Sequence, residues 1–345
     1  MSRLDTHRGR VLLTGGAGYI GSHCCVALMQ EGYQPVILDN FANARRDVPD
    51  RIALAANGPA PQVIEADIRD RTVMETVLAE GGFDAVMHFA GLKSVAESVA
   101  HPERYFDINL GGLTVLVAAM AATDTRRLIF SSSATVYDAR ATGGAISEDA
   151  PLGPASPYGH SKLLAEKVLL AQAEADPSWR VGILRYFNPA GAHGTGHIGE
   201  EPADPPDNLM PYIAQVASGR RARLQVFGDD YDTPDGTGVR DYIHVADLAR
   251  GHVASLAALE RDGRGHVVNL GTGRGQSVLE MRAAYARVSG REVSFEIRPR
   301  RPGDVAQCYC DATRARAVLG FEARHGIDEM CASSWSWTRR REGLA

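Results

Sequence analysis

The sequence predicts an α/β fold: a doubly wound parallel sheet covered by helices on both faces, followed by a smaller mixed α/β lobe. Three observations predict it. Short, continuously apolar runs alternate with amphipathic stretches through the first half, as expected of parallel strands buried on both sides. A glycine-rich turn follows the first of these runs and opens a helix. From about Asn188 the texture changes, with frequent Gly and Pro and short irregular elements, and such loops in a compact protein usually serve a site.

The elements follow in order. Residues 11–13 read as a strand and 19–30 as a helix. Strands are expected at 35–38 and 63–64, a helix at 71–80 and a strand at 85–89. A long helix covers 102–122, and 128–130 is a strand. Residues 158–173 form a helix with Leu163, Leu164, Val168 and Leu169 on one face, and a strand at 181–184 closes the series. The first domain is residues 1–188 and the second 189–345. The second lends an element or two back to the first, for instance 267–270.

Length and composition agree. At roughly 150 residues per domain, 345 residues make about two domains. The chain is 44% hydrophobic and 23% charged, which excludes disorder and fibrous repeats. Its net charge is −5, from 37 basic and 42 acidic residues, so no overall positive field draws it to nucleic acid or an anionic membrane. The longest apolar stretch, residues 113–122, is far too short to span a bilayer. Residues 1–10 are charged and lack an apolar core, so no signal peptide is expected. Five cysteines are too few for a disulfide framework, and a reducing, cytoplasmic setting is expected. Lys93, Lys162 and Lys167 are the only lysines in an arginine-rich chain. Arg is a rigid fork and Lys a movable point charge, so each surviving lysine is a candidate for a role needing the latter.

Gly15, Gly18 and Gly21 fall in the turn after the first strand and at the start of the first helix. Without Cβ atoms the backbone can approach a pyrophosphate, whose charge sits on the N–H groups at the helix N-terminus. Eighteen residues past Gly21, Asp39 ends the second strand, where an acid binds adenosine ribose hydroxyls. The acid would repel a 2′-phosphate, so NAD is expected over NADP, although Arg45 and Arg46 just beyond could receive such a phosphate. Asp67, after the third strand, fits either the adenine edge or a solvated turn.

Tyr158 and Lys162 stand four residues apart on one face of a helix started by Pro157. A free phenol, with a pKa of about 10, is a poor base at neutral pH. Lowering it by about three units requires roughly 4 kcal/mol of differential stabilisation, which a nearby ammonium and a positive nicotinamide ring can provide where water is scarce. Ser131, Ser132 and Ser133 end a strand upstream, and Ser133 is placed to share the proton that Tyr158 takes.

Together these features resemble the extended short-chain dehydrogenase/reductase superfamily, and within it the chain is most similar to the UDP-galactose (UDP-glucose) 4-epimerase family. The resemblance covers nearly the whole chain, in segments 14–23, 89–93, 131–137, 158–162, 185–189, 208–216, 235–245 and 300–304. It implies a Rossmann-type NAD-binding domain over 1–188 and a UDP-sugar-binding lobe over 189–345. Gly15, Gly18, Tyr19, Ile20, Asp39, Asn40, Asp67, Ile68, Phe89, Ala90, Gly91 and Lys93 would line NAD, with Phe187 beside its nicotinamide half. Tyr158, Lys162 and Ser133 would be catalytic. Lys93, Ser133, Tyr158, Asn188, Asn208, Leu209, Gln225, Val226, Phe227, Arg240, Arg301 and Asp304 would hold the UDP-sugar. Arg240 and Arg301 suit a diphosphate, which a guanidinium grips bidentately. The implied reaction inverts C4 of a UDP-hexose through a 4-keto sugar. Cys308 stands where the family carries either a bulky tyrosine or a small residue, so UDP-GlcNAc and UDP-GalNAc are also expected as substrates. The resemblance further implies a homodimer built on paired first-lobe helices.

A sugar-nucleotide 4,6-dehydratase is the alternative. It shares the fold, the Tyr–Lys pair and NAD, but that family carries Asp-Glu where Ala134 and Thr135 stand here. A catalytically dead NAD sensor of the same fold would be expected to have lost the Tyr–Lys pair. Cys308 and Cys310 lack a second pair at ligand spacing, so no metal is expected. His88, His193 and His197 read as structural or loop residues and Trp335 and Trp337 as packing for a C-terminal helix. His160 and Pro302 depart from the family's motifs at positions expected to be exposed.

Overall fold

A computed structural model describes residues 8–138, 144–201, 206, 208–301 and 303–344. Its largest sheet has seven parallel strands, labelled in chain order β1 (Arg10–Thr14), β2 (Gln34–Asp39), β3 (Gln62–Glu65), β4 (Ala85–His88), β5 (Arg127–Ser133), β6 (Arg180–Tyr186) and β7 (His266–Leu270). Their spatial order is β3-β2-β1-β4-β5-β6-β7, so the winding reverses between β1 and β4. Ligands of open α/β sheets sit at such a reversal, beyond the carboxyl ends of the strands.

Alternation of side chains explains why the strands are apolar throughout. Leu13, Ile37 and Ile129 face a cluster with Cys24, Cys25 and Leu28 of helix Tyr19–Gln30 and Leu248 and Leu256 of helix Val245–Asp262. Leu12, Leu128 and Phe130 face the opposite cluster, with Met74 and Leu78 of helix Arg71–Gly81, Leu113 and Leu116 of helix Gly112–Ala121, and Ala165 and Leu169 of helix Pro157–Ala175. Both faces are therefore dry.

The smaller lobe holds a five-stranded mixed sheet. Val239–His244 pairs in parallel with Asn188–Ala190 and Gln307–Cys310 and antiparallel with Gly275–Ser277. Leu224–Phe227 and Phe295–Arg298 form a separate parallel pair. Its core gathers Met210, Ile213, Tyr242, Met281, Tyr285, Met330 and Trp335. Two strands pair in the other lobe's sheet: β7 joins the large sheet, and Ala145–Ile146 pairs with Tyr309 and Cys310 in the small one.

Two departures from the sequence reading have physical causes. The helix expected over 102–122 is three pieces, Pro102–Tyr105, a π-helical turn Phe106–Gly111 and Gly112–Ala121, and such turns commonly mark functional sites. Helices Val48–Ala56 and Val95–Ala100 carry too few turns to show a clear period in the sequence. Among the described residues, no helix is long and apolar enough to cross a membrane.

Candidate active site

The loop after β4 folds onto the end of β1, where the amides of Phe89 and Ala90 both donate to the Thr14 carbonyl, at 2.8 and 2.9 Å. Gly15 lies between them with φ +69°, and a Cβ there would meet the Ala90 nitrogen at 2.6 Å. Only glycine fits on both counts. Helix Tyr19–Gln30 then starts with no side-chain cap and no acid in its first turn. Its free N–H groups and the positive end of its dipole suit an anion, and this cradle fits a dinucleotide pyrophosphate. Asp39 is fixed at the end of β2 by the amides of Ala17, 3.0 Å, and Phe41, 2.9 Å. Burial raises its pKa against the pull of those two hydrogen bonds. Phe41 takes φ +53°, rare for a bulky residue, as the chain turns beside that acid.

Asn40 donates to Asp67 at 3.2 Å, so these two predicted residues meet. Arg69 grips Asp67 and holds its pKa down at about 2. The side chain of Ile68 is buried in the core, which leaves only its main chain to face a ligand. Arg46 pairs with Glu65, and Arg45 with Asp47 and Glu201. Both guanidinium groups are thus already paired with carboxylates. Tyr19 points across to the second lobe and donates to the Gly191 carbonyl at 2.7 Å, while Ile20 packs on the helix side of the sheet.

At the other end of the cradle, helix Pro157–Ala175 begins at Ser156, whose hydroxyl accepts from the Gly159 amide at 3.1 Å. A Cβ on Gly159 would meet the Thr135 carbonyl oxygen at 2.7 Å, so glycine lets the helix start lie against the end of β5. Tyr158 and Lys162 are both buried and share the face turned to that strand. The Ser133 hydroxyl accepts from Thr135 Oγ1 at 3.0 Å and lies close enough to the Tyr158 phenol to favour its ionised form.

Lys162 shares the buried helical face with Tyr158, as their spacing predicts. Its Nζ donates to the Ser131 carbonyl at 2.7 Å and lies 6.0 Å from the centre of the Tyr158 ring. Burial lowers its pKa to about 8, with Glu166 opposing. For Tyr158, burial raises the pKa, and the effects opposing it are the Ser133 hydrogen bond and the charge of Lys93. The Ser131 carbonyl orients the Lys162 ammonium and leaves its charge beneath the Tyr158 ring.

Sequence reasoning missed three supporting residues. Asn109, inside the π-helical turn, accepts from the Leu92 amide at 2.7 Å and donates to the Leu92 carbonyl at 3.0 Å and to Ser161 Oγ at 3.1 Å. It ties the loop carrying Lys93 to the helix carrying Tyr158. Glu166 and Arg185 form a buried ion pair, 2.6 Å at its shortest, behind β5, and Ser132 donates to the same carboxylate.

The predicted sugar-nucleotide residues form two groups. Arg240 and Arg301 converge on Asp304, at 3.7 and 3.1 Å, and the Arg301 guanidinium lies 4.6 Å over the Phe227 ring. Cys308 is in register with Arg240 and packs against the cluster containing Phe187. Gln225 is half-buried beside them, but the side chain of Val226 points into the lobe core and can offer only its backbone. Asn188 lies next to Phe187, paired with Tyr242. In the second group Lys93 and Asn208 both donate to Glu200, at 2.9 and 2.6 Å. Asn208 stands at the cap of helix Leu209–Ala217 without capping it.

The remaining candidates are structural. His88 bonds Thr14 at 2.7 Å, and burial lowers its pKa to about 3. His193 bonds Thr195 within its loop, Trp335 and Trp337 are buried, and His160 is exposed. Pro302 lies outside the described residues. The five cysteines are free, and among the described residues no group of three His, Cys, Asp or Glu side chains could hold a metal.

A doubly wound sheet with this glycine turn after its first strand and a Ser–Tyr–Lys constellation at its fifth defines a protein of the short-chain dehydrogenase/reductase class. The model of the NAD dependent epimerase/dehydratase family matches residues 11–271, and the chain belongs to that family. It is 51% identical to the UDP-glucose 4-epimerase of Bacillus subtilis (strain 168), over 95% of this chain and 96% of that one. Among solved structures it is similar to the UDP-glucose 4-epimerase of Stenotrophomonas maltophila with bound NAD and formylated UDP-arabinopyranose, at 47% identity, a TM-score of 0.93, and coverage of 98% of this chain and 100% of the other. The enzyme of Bifidobacterium longum in complex with NAD+ and UDP is also 47% identical, with a TM-score of 0.91 over 96% and 99% of the two chains.

Proposed function

We propose that the chain is an NAD-dependent UDP-glucose 4-epimerase, an isomerase of galactose metabolism that inverts C4 of UDP-glucose and UDP-galactose. The observation that carries this reading is the buried Tyr158 phenol, set with Lys162 against Ser133 at the carboxyl end of β5 of the same sheet whose β1 leads into the glycine cradle. When bound there, NAD supplies the acceptor and donor of the C4 hydride and a positive ring beside Tyr158.

The chain's own residues do the rest. Tyr158 takes the proton of the sugar 4-hydroxyl as the 4-keto sugar forms and returns it on the other face, and Ser133 passes that proton and holds the oxygen. Lys162 keeps a positive charge beneath them and fixes the end of β5 through Ser131. The charge of Lys93 also favours the phenolate. Arg240, Arg301 and Asp304, with Phe227 and the backbone at Gln225 and Val226, hold the nucleotide, while Asn188, Asn208 and Leu209 face the diphosphate and sugar. Gly15, Gly18, Tyr19, Ile20, Asp39, Asn40, Asp67, Ile68, Phe89, Ala90, Gly91 and Phe187 line NAD. Residues 1–188 make the cofactor domain and 189–345 the sugar-nucleotide lobe. Dehydration would need acids where Ala134 and Thr135 stand.

Cys308 supports a wider substrate range. It is a small side chain against the Phe187 cluster and leaves room for a 2-acetamido group. The purified protein is expected to convert both UDP-galactose and UDP-GalNAc, and Cys308→Tyr to lose the second activity while keeping the first. Equal loss of both refutes the gate, and no turnover of either sugar by the wild type refutes the function. A homodimer is part of the reading: Leu164 and Leu170 of helix Pro157–Ala175 and Val95 and Val99 of helix Val95–Ala100 are exposed apolar side chains on touching first-lobe helices. The free thiols accord with a cytoplasmic setting.

A further inference from the structure

Glu200 lies between the two lobes. Its Oε1 accepts from Lys93, which follows β4 in the first lobe, and from Asn208, which precedes helix Leu209–Ala217 in the second. The side chain is only 7% exposed. Its backbone is pinned: the Glu200 carbonyl accepts from Trp337 Nε1 at 3.1 Å, and the next residue, Glu201, lies 3.2 Å from Arg51, 3.7 Å from Arg45 and 3.9 Å from Arg341. The Arg51 guanidinium also stacks 5.4 Å from the centre of the Trp337 ring. The carboxylate can swing on its side chain while the peptide stays put.

We propose that Glu200 is an internal competitor for the substrate's diphosphate: in the ligand-free chain its carboxylate occupies donors that the UDP-sugar takes, so that substrate entry exchanges one anion for another. The inference rests on the function proposed above, in which Lys93 and Asn208 face the diphosphate. Two anions in contact repel strongly where water is scarce, so the carboxylate and a phosphate oxygen do not share these donors. While the site waits, the largely buried Glu200 carboxylate keeps the charge-assisted hydrogen bonds from Lys93 and Asn208 that it needs itself. When product leaves, the carboxylate returns and takes back the donors. Such a residue loosens the ground-state grip on UDP in a site that must hold the nucleotide through the turnover of its sugar. Asn208 pairs with this carboxylate instead of capping its own helix, which leaves that helix's N–H groups for the incoming anion.

The sign of the effect separates this role from a merely structural one. With the NAD-loaded protein and UDP as the titrant in calorimetry, Glu200→Gln is expected to bind UDP about ten-fold more tightly than the wild type, equivalent to roughly 1.4 kcal/mol. The KM for UDP-galactose falls with it and kcat does not rise. Binding that is unchanged or weaker overturns the proposal, since loss of a structural contact would weaken it. A crystal structure of the wild type with NAD and UDP gives an independent reading that does not depend on the variant folding. Glu200 there is expected to have left Asn208 Nδ2, and a carboxylate still bonded to both donors beside bound UDP overturns the exchange. If the wild type neither binds UDP nor converts UDP-galactose, the function itself falls and the exchange with it; if it does both and Glu200→Gln is not tighter, only the exchange falls.

Discussion

Tyr158→Phe is expected to lower kcat for UDP-galactose about 10²–10⁴-fold, the usual range for removing a general acid–base group, while UDP binds nearly as before. The variant keeps the ring, and with it the edge-on contact to Tyr105 at 6.4 Å between centroids. It removes only the hydroxyl, whose ionised form Ser133 favours. The loss should therefore fall on kcat and leave KM close to its original value, since an interaction made only in the transition state is removed. Steady-state kinetics with UDP-galactose reads the split. Undiminished turnover would remove Tyr158 as the base.

The second large effect is on stability. Arg185 and Glu166 are almost completely buried, and Arg185 also donates to Tyr137 and to the Glu148 carbonyl. Breaking such a pair from one side leaves a charge without its partner and costs roughly 3–5 kcal/mol, whereas replacing both partners by apolar groups is often neutral. Arg185→Met should therefore lower the melting temperature of the NAD-loaded protein by several degrees or more, and the double variant Glu166→Met/Arg185→Met should recover most of that loss. A single variant that melts with the wild type, or a double variant no better than the single, contradicts this account of the network. The pair also matters for the site. Glu166 opposes the burial that pulls the Lys162 pKa to about 8, so the same carboxylate that stabilises the fold helps keep Lys162 charged.

Much of this was legible in the sequence because it is local. The glycine turn, Asp39 at the end of β2, and Tyr158 and Lys162 one helical turn apart are all set by spacing within a single β–α unit, and the helix expected over 158–173 runs Pro157–Ala175. The strands around the site were readable for the same reason: burial on both faces makes each a continuous apolar run. The residues that escaped act across the fold. Asn109 works through a π-helical turn that has no sequence period of its own, and it meets Leu92 and Ser161 from different elements. Glu200 meets Lys93 across 107 positions of chain. Glu166 and Arg185 come from different elements, and their pairing shows only once β5 and β6 lie side by side. Helical spacing correctly put Lys162 on the same face, but spacing cannot show that the Ser131 carbonyl takes the ammonium.

The central claim is that the hydrogen removed from C4 is the one returned to it. UDP-galactose carrying deuterium at C4, converted in ordinary water and analysed by mass spectrometry, tests this most directly. The account predicts that the UDP-glucose formed keeps the deuterium at C4. Product in which that deuterium has been replaced by hydrogen from the water would contradict it.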